Sequence, residues 1–135
     1  MDNNYSEVCK RSQSHSQGQV GFAENLYAVF SQIEYTSFEE TVQPLVYELG
    51  MIIAEIYTLS ENCEVRIGGK PLPVTMVSEV YTRLTRDNLE MVIENFRNVS
   101  YEIRHRKSYF RTALYNSVFE CESYWENQIR KDEII

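Results

Sequence analysis

The sequence predicts a mainly α-helical domain: five to six helices packed around a central helix, with one small β-hairpin as the minor β part. Three observations predict it. Apolar residues from Phe38 to Ile56 recur at steps of three and four, the spacing of a helix with one buried face. Shorter runs with the same spacing follow between Met76 and Ile129. Between the two regions, Gly68-Gly69 separates the β-prone Val65-Arg66-Ile67 from Leu72, a two-residue hairpin signal.

Residues 1–20 are rich in Ser, Gln and Asn and hold almost no apolar residue before Val20, so they are expected to form a disordered polar leader. Residues 21–135 then make one helical domain, a length that suits a single core. Phe22, Leu26, Val29, Phe30 and Ile33 define the first helix. Ser37-Phe38-Glu39-Glu40 fits a capping box, and behind it run Val42, Leu45, Val46, Leu49, Ile52, Ile53 and Ile56. Pro44 interrupts this stripe, so the helix either kinks there or starts again with Pro44 in its first turn. A third helix opens at Pro73 or Val74 and carries Met76, Val77, Val80 and Leu84. Thr85 caps a fourth, bearing Leu89, Val92, Ile93, Phe96 and Val99. A fifth runs from about Lys107 to Phe119, and a weaker sixth holds Tyr124, Trp125 and Ile129.

Charge is unevenly placed. The net charge is −7, yet Phe22 to Glu64 contains eight acids and no Lys or Arg. Val65 to Val118 carries nine bases and five acids, a local balance of +4. A nucleic-acid surface needs clustered positive charge, so only this second portion could supply one. Its densest part is Arg104, Arg106, Lys107 and Arg111, with Tyr109 among them, a candidate contact for a phosphate or an acidic partner. The plainer alternative is a solvated helix start that offsets the acidic half. A cationic first turn also opposes the helix dipole, which favours a functional role for the strip. Tyr115, Tyr124 and Trp125 form a candidate aromatic surface, with core packing as the alternative.

Chemistry-bearing motifs are sparse, and neither an enzyme nor a bound cofactor or metal is expected. His15 and His105 are the two histidines, and no HExxH, paired cysteines or Asp-rich loop accompanies them. Gly68-Gly69-Lys70 is followed by Pro71, where a phosphate loop needs Ser or Thr. Cys9, Cys63 and Cys121 are widely spaced and odd in number, which argues against a disulfide framework and for the cytoplasm, and Cys63 and Cys121 read as buried or idle thiols. No stretch approaches the roughly 20 apolar residues that span a bilayer, so no membrane is expected as a partner.

From Val65 onward the sequence resembles the C-terminal domain of the replication initiator protein A family of Firmicutes plasmids and conjugative transposons. Val65-Arg66-Ile67 with its Gly68-Gly69 turn and Pro73 carries the first part of the likeness. The stretch from Arg83 to Val99, a short cap and the helix behind it, carries the second. The most specific stretch is Ile103, Arg104, Lys107, Tyr109, Thr112, Ala113, Leu114, Tyr115 and Asn116, closed by Ser123-Tyr124-Trp125 and Asp132. The resemblance implies an accessory domain in replication of a mobile element. Its implied partner is a protein, either the replication machinery or its own initiator. Weak nucleic-acid binding by the Arg104–Arg111 strip is the alternative. The family's members also carry an N-terminal winged-helix region, which these 135 residues do not include.

Overall fold

The computed structural model describes the backbone of residues 18–134 and the side chains of residues 21–121. The expected leader therefore lies mostly outside the described residues, although Gly18 to Val20 already belong to the first helix. In chain order the elements are α1 (Gly18–Gln32), a 3-10 turn (Tyr35–Ser37), α2 (Gln43–Thr58), β1 (Glu64–Ile67), β2 (Lys70–Pro73), α3 (Val74–Tyr81), α4 (Arg86–Arg97) and α5 (Arg106–Ile134). The fold is mainly α with one antiparallel hairpin, as the sequence predicts.

The central helix is α2. Val46, Leu49, Ile52, Ile53 and Ile56 are buried along it. Those positions share one face at steps of three and four, so burying that face requires neighbours on several sides. The neighbours are Val29 of α1 and Ile33 just past its end, Val77 and Tyr81 of α3, Leu89 and Ile93 of α4, and Phe110 and Leu114 of α5, all in the same core cluster. Gly50 makes the closest approach possible. A Cβ there would lie 2.7 Å from Phe30 Cε1, so any side chain would force the Phe30 ring to shift.

Two helix starts differ from expectation. Ser37 does not cap α2, because it sits in the 3-10 turn with its hydroxyl donating to the Glu34 carbonyl at 2.6 Å. The proline explains it. Pro44 has no N–H and its ring crowds the carbonyl four residues back, so a helix cannot run from Phe38 through it. The helix begins at Gln43 instead, with Pro44 in the first turn where no N–H is needed. At α5 the expected pair of helices is one continuous helix of 29 residues, about 43 Å long. Glu120-Cys121-Glu122-Ser123 contains neither Gly nor Pro, so nothing there ends a helix.

The hairpin forms as the glycines dictate. Val65 pairs with Leu72 and Ile67 with Lys70. Gly68 and Gly69 take φ of 61° and 81°, a turn open to residues without a Cβ. Pro71 and Pro73 are tolerated because, among the described residues, β2 pairs with β1 alone and its other edge is open. Val65 and Ile67 turn into the core, and the Gly68 N–H donates to Thr112 Oγ1 at 2.9 Å, fixing the tip to α5. Thr85 caps α4 as expected, and its N–H and hydroxyl both donate to Asn88 Oδ1, at 2.8 and 2.9 Å.

A polar chain crosses the packing. Gln32 Nε2 donates to the carbonyls of Tyr81 and Leu84, at 2.9 and 2.8 Å, while its Oε1 accepts from the Tyr57 hydroxyl at 3.1 Å. The Tyr81 hydroxyl, fully buried, donates to the Arg111 carbonyl at 2.8 Å. Gln32→Leu should therefore cost about 1–3 kcal/mol, because the two carbonyls and the Tyr57 hydroxyl lose their partner. Urea unfolding would register that as a lower midpoint at unchanged slope.

Candidate functional site

The basic strip at the start of α5 faces α2. Glu48 and Glu55 stand seven residues apart on α2, about two turns along one face. Arg106 Nε donates to Glu48 Oε2 at 2.7 Å, and Lys107 Nζ to Glu55 Oε2 at 2.7 Å. Arg111 Nη2 donates to Glu55 Oε1. The two acids thus compensate the cationic first turn that opposes the helix dipole.

Exposure ranks these pairs. The side chains of Arg106 and Lys107 remain about half exposed, at 50% and 49%, so each pair is expected to contribute at most about 1 kcal/mol. Arg111 and Glu55 are only 13% and 18% exposed, so their attraction is less screened and their separation more costly. Arg111 Nε is buried without a hydrogen-bond partner, which makes the guanidinium depend further on Glu55.

The other candidates divide. Arg104 is exposed, two residues ahead of α5. Arg106 also lies over the rings of Phe96 and Phe110, at 4.9 and 5.4 Å. Tyr109 packs against the same two rings, with centroids 6.1 and 5.5 Å away, rather than standing free to stack on a base. Burial pushes its phenol up, and Tyr101 adds to the shift. Tyr115 is half-buried and stacks on Phe119 at 5.3 Å. Tyr124 and Trp125 lie outside the residues whose side chains are described, so the expected aromatic surface is reduced to Tyr115 with Phe119.

Beside the strip, α4 and α5 enclose an open groove of about 500 Å³. Ser108, Thr112, Asn116 and Glu120 line it from α5, with His105 just ahead of that helix, facing Asn95 of α4. Their spacing of three and four places them on one helix face. Sequence reading did not single out this face, because small polar residues carry no periodic apolar signal.

The cysteines differ from one another. Cys63 is buried and disulfide-bonded, which corrects the expectation of an idle thiol at that position. Cys121 is free. Partial burial pushes its thiol up, and Asp87 and Glu120 push in the same direction, the reverse of what activates a nucleophile. Among the described residues no three His, Cys, Asp or Glu side chains come together to hold a metal, and no helix is long and apolar enough to cross a membrane.

No curated protein and no solved structure matches the chain. A family of unknown function (DUF6017) matches residues 9–134, nearly the whole length, and the chain belongs to that family.

Proposed function

We propose that this chain is a non-catalytic accessory domain of a mobile-element replication initiator, from a plasmid or conjugative transposon, and that it works through protein–protein contacts in the cytoplasm. The replication role rests on the likeness of Ile103 to Asn116 and of the hairpin to the initiator C-terminal domain. The protein-contact role rests on one observation: Arg106, Lys107 and Arg111 are spent on Glu48 and Glu55. The same pairing speaks against the nucleic-acid alternative, because a polyanion would have to displace Glu48 and Glu55. Glu24, Glu34, Glu39 and Glu40 are exposed in the Phe22–Glu64 segment, which has no Lys or Arg, and they would repel phosphates within about 8 Å in physiological salt. The Cys63 disulfide is the feature least suited to the cytoplasm, where such bonds are rare.

The test is the copy number of a minimal replicating element. Removing the segment that encodes this chain should lower copy number, while duplex binding by the rest of the initiator stays intact. Unchanged copy number would contradict the accessory role. Sub-micromolar duplex binding by this chain, abolished in Arg104→Ala/Lys107→Ala, would establish the nucleic-acid alternative instead.

A further inference from the structure

Tyr27 is 80% exposed and Tyr47 45% exposed, both in the part of the chain that has no Lys or Arg. Tyr47 belongs to a cluster with Phe30 and Tyr35. The Phe30 centroid is 4.7 Å from that of Tyr35 and 5.4 Å from that of Tyr47. On α1, Glu24, Tyr27 and Ser31 follow one another at steps of three and four, so they share the outward face, and the exposed Glu34 comes just past the end of that helix. Tyr27 precedes Phe30 by three residues, which places it beside the cluster. The result is an aromatic ridge bordered by two exposed carboxylates.

Glu34 carries a second signal. It follows α1 with φ of 56°, and it is the non-glycine residue with positive φ among those described. A helix ending this way ordinarily takes Gly or Asn, which reach the left-handed region with little strain. A glutamate there is a local disadvantage. The backbone does not need it, so its carboxylate is what remains to account for it.

We infer that this ridge docks an arginine-bearing basic segment of a protein partner, a conclusion that rests on the protein-contact reading above. Charge complementarity sets the sign, since the stretch from α1 through the 3-10 turn after it carries Glu24 and Glu34 and no Lys or Arg of its own. Chemistry sets arginine above lysine, because a planar guanidinium can stack on an aromatic ring and pair with a carboxylate at once. The domain uses this arrangement twice internally. Arg86 lies 4.6 Å over the Phe38 ring while paired with Glu90. Arg106 lies over Phe96 while bound to Glu48. The Tyr27–Tyr47 ridge offers the same rings and carboxylates on the outer surface.

Fluorescein-labelled peptides of alternating Arg and Gly, and of alternating Lys and Gly at equal length, would be titrated with the full chain by anisotropy near physiological ionic strength. The arginine peptide should bind about tenfold tighter than the lysine peptide. Tyr27→Ala should weaken it about tenfold with the melting temperature unchanged, since that ring is exposed. Glu34→Gly should weaken binding while raising the melting temperature, a pairing that a purely structural role would not produce. Equal affinity for both peptides, no binding, or binding unaltered in Tyr27→Ala and Glu34→Gly would overturn the proposal. Sedimentation without peptide adds another outcome: a dimer that Tyr27→Ala dissolves would assign the ridge to a second copy of this chain and also overturn it. If loss of the whole chain lowers copy number but Tyr27→Ala and Glu34→Gly elements replicate normally, this docking face fails and the accessory-domain reading stands.

Discussion

Ile53→Ala should lower the free energy of unfolding by about 2–5 kcal/mol. Ile53 lies in the middle of α2, fully buried, in the core cluster formed with all four other helices. Shortening it removes apolar contact and leaves a cavity. Because α2 packs on several sides, no single neighbour can move in to fill the space without leaving another. Collapse is therefore incomplete, which favours the upper part of the range. Urea denaturation should show a lower midpoint with little change in slope. A change within about 0.5 kcal/mol, as for surface positions, would mean that α2 is not the centre of the fold.

Glu55→Gln should cost about 3 kcal/mol, even though the side chain keeps nearly the same shape. The cost comes from Arg111 rather than from the glutamine. Its guanidinium is only 13% exposed and would lose its carboxylate while still charged. Removing one partner of a fully buried pair costs about 3–5 kcal/mol, and the residual exposure of Arg111 places this pair at the lower end. Lys107 loses the same carboxylate but is about half exposed, so water replaces most of that interaction. Lys107→Met should thus change stability by no more than about 1 kcal/mol, and the contrast between the two variants separates buried from exposed charge.

Much of the fold was legible because its signals are local. The Leu45–Ile56 stripe, the Gly68-Gly69 turn and the Thr85 cap each depend on residues within a few positions of one another. Pro44 was legible as a problem, and the structure takes the restart rather than the kink. The apolar spacing lapses between Phe119 and Tyr124, yet no residue there opposes a helix, so two expected helices are one. Ser37 misled for the opposite reason. Its sequence fits a capping box, but Pro44 makes the helix behind it impossible.

The candidate site was legible only in part. Arg106, Lys107 and Arg111 were visible as a strip, but their partners are between 52 and 58 residues away in sequence. The available signal was the bipolar charge pattern together with the seven-residue spacing of Glu48 and Glu55, which puts two acids on one face of α2. The aromatic ridge was less visible still. Phe30, Tyr35 and Tyr47 come from α1, the 3-10 turn and α2, and no periodicity links them.

The central claim is that the cations of α5 hold α5 to α2 instead of serving a polyanion. A double-mutant cycle on Glu55→Gln and Arg111→Gln, read by urea unfolding in low and high salt, tests it most directly. The account predicts a coupling of about 1–3 kcal/mol that survives added salt, because the pair is largely buried. Additive single effects, with coupling below about 0.3 kcal/mol, would contradict it.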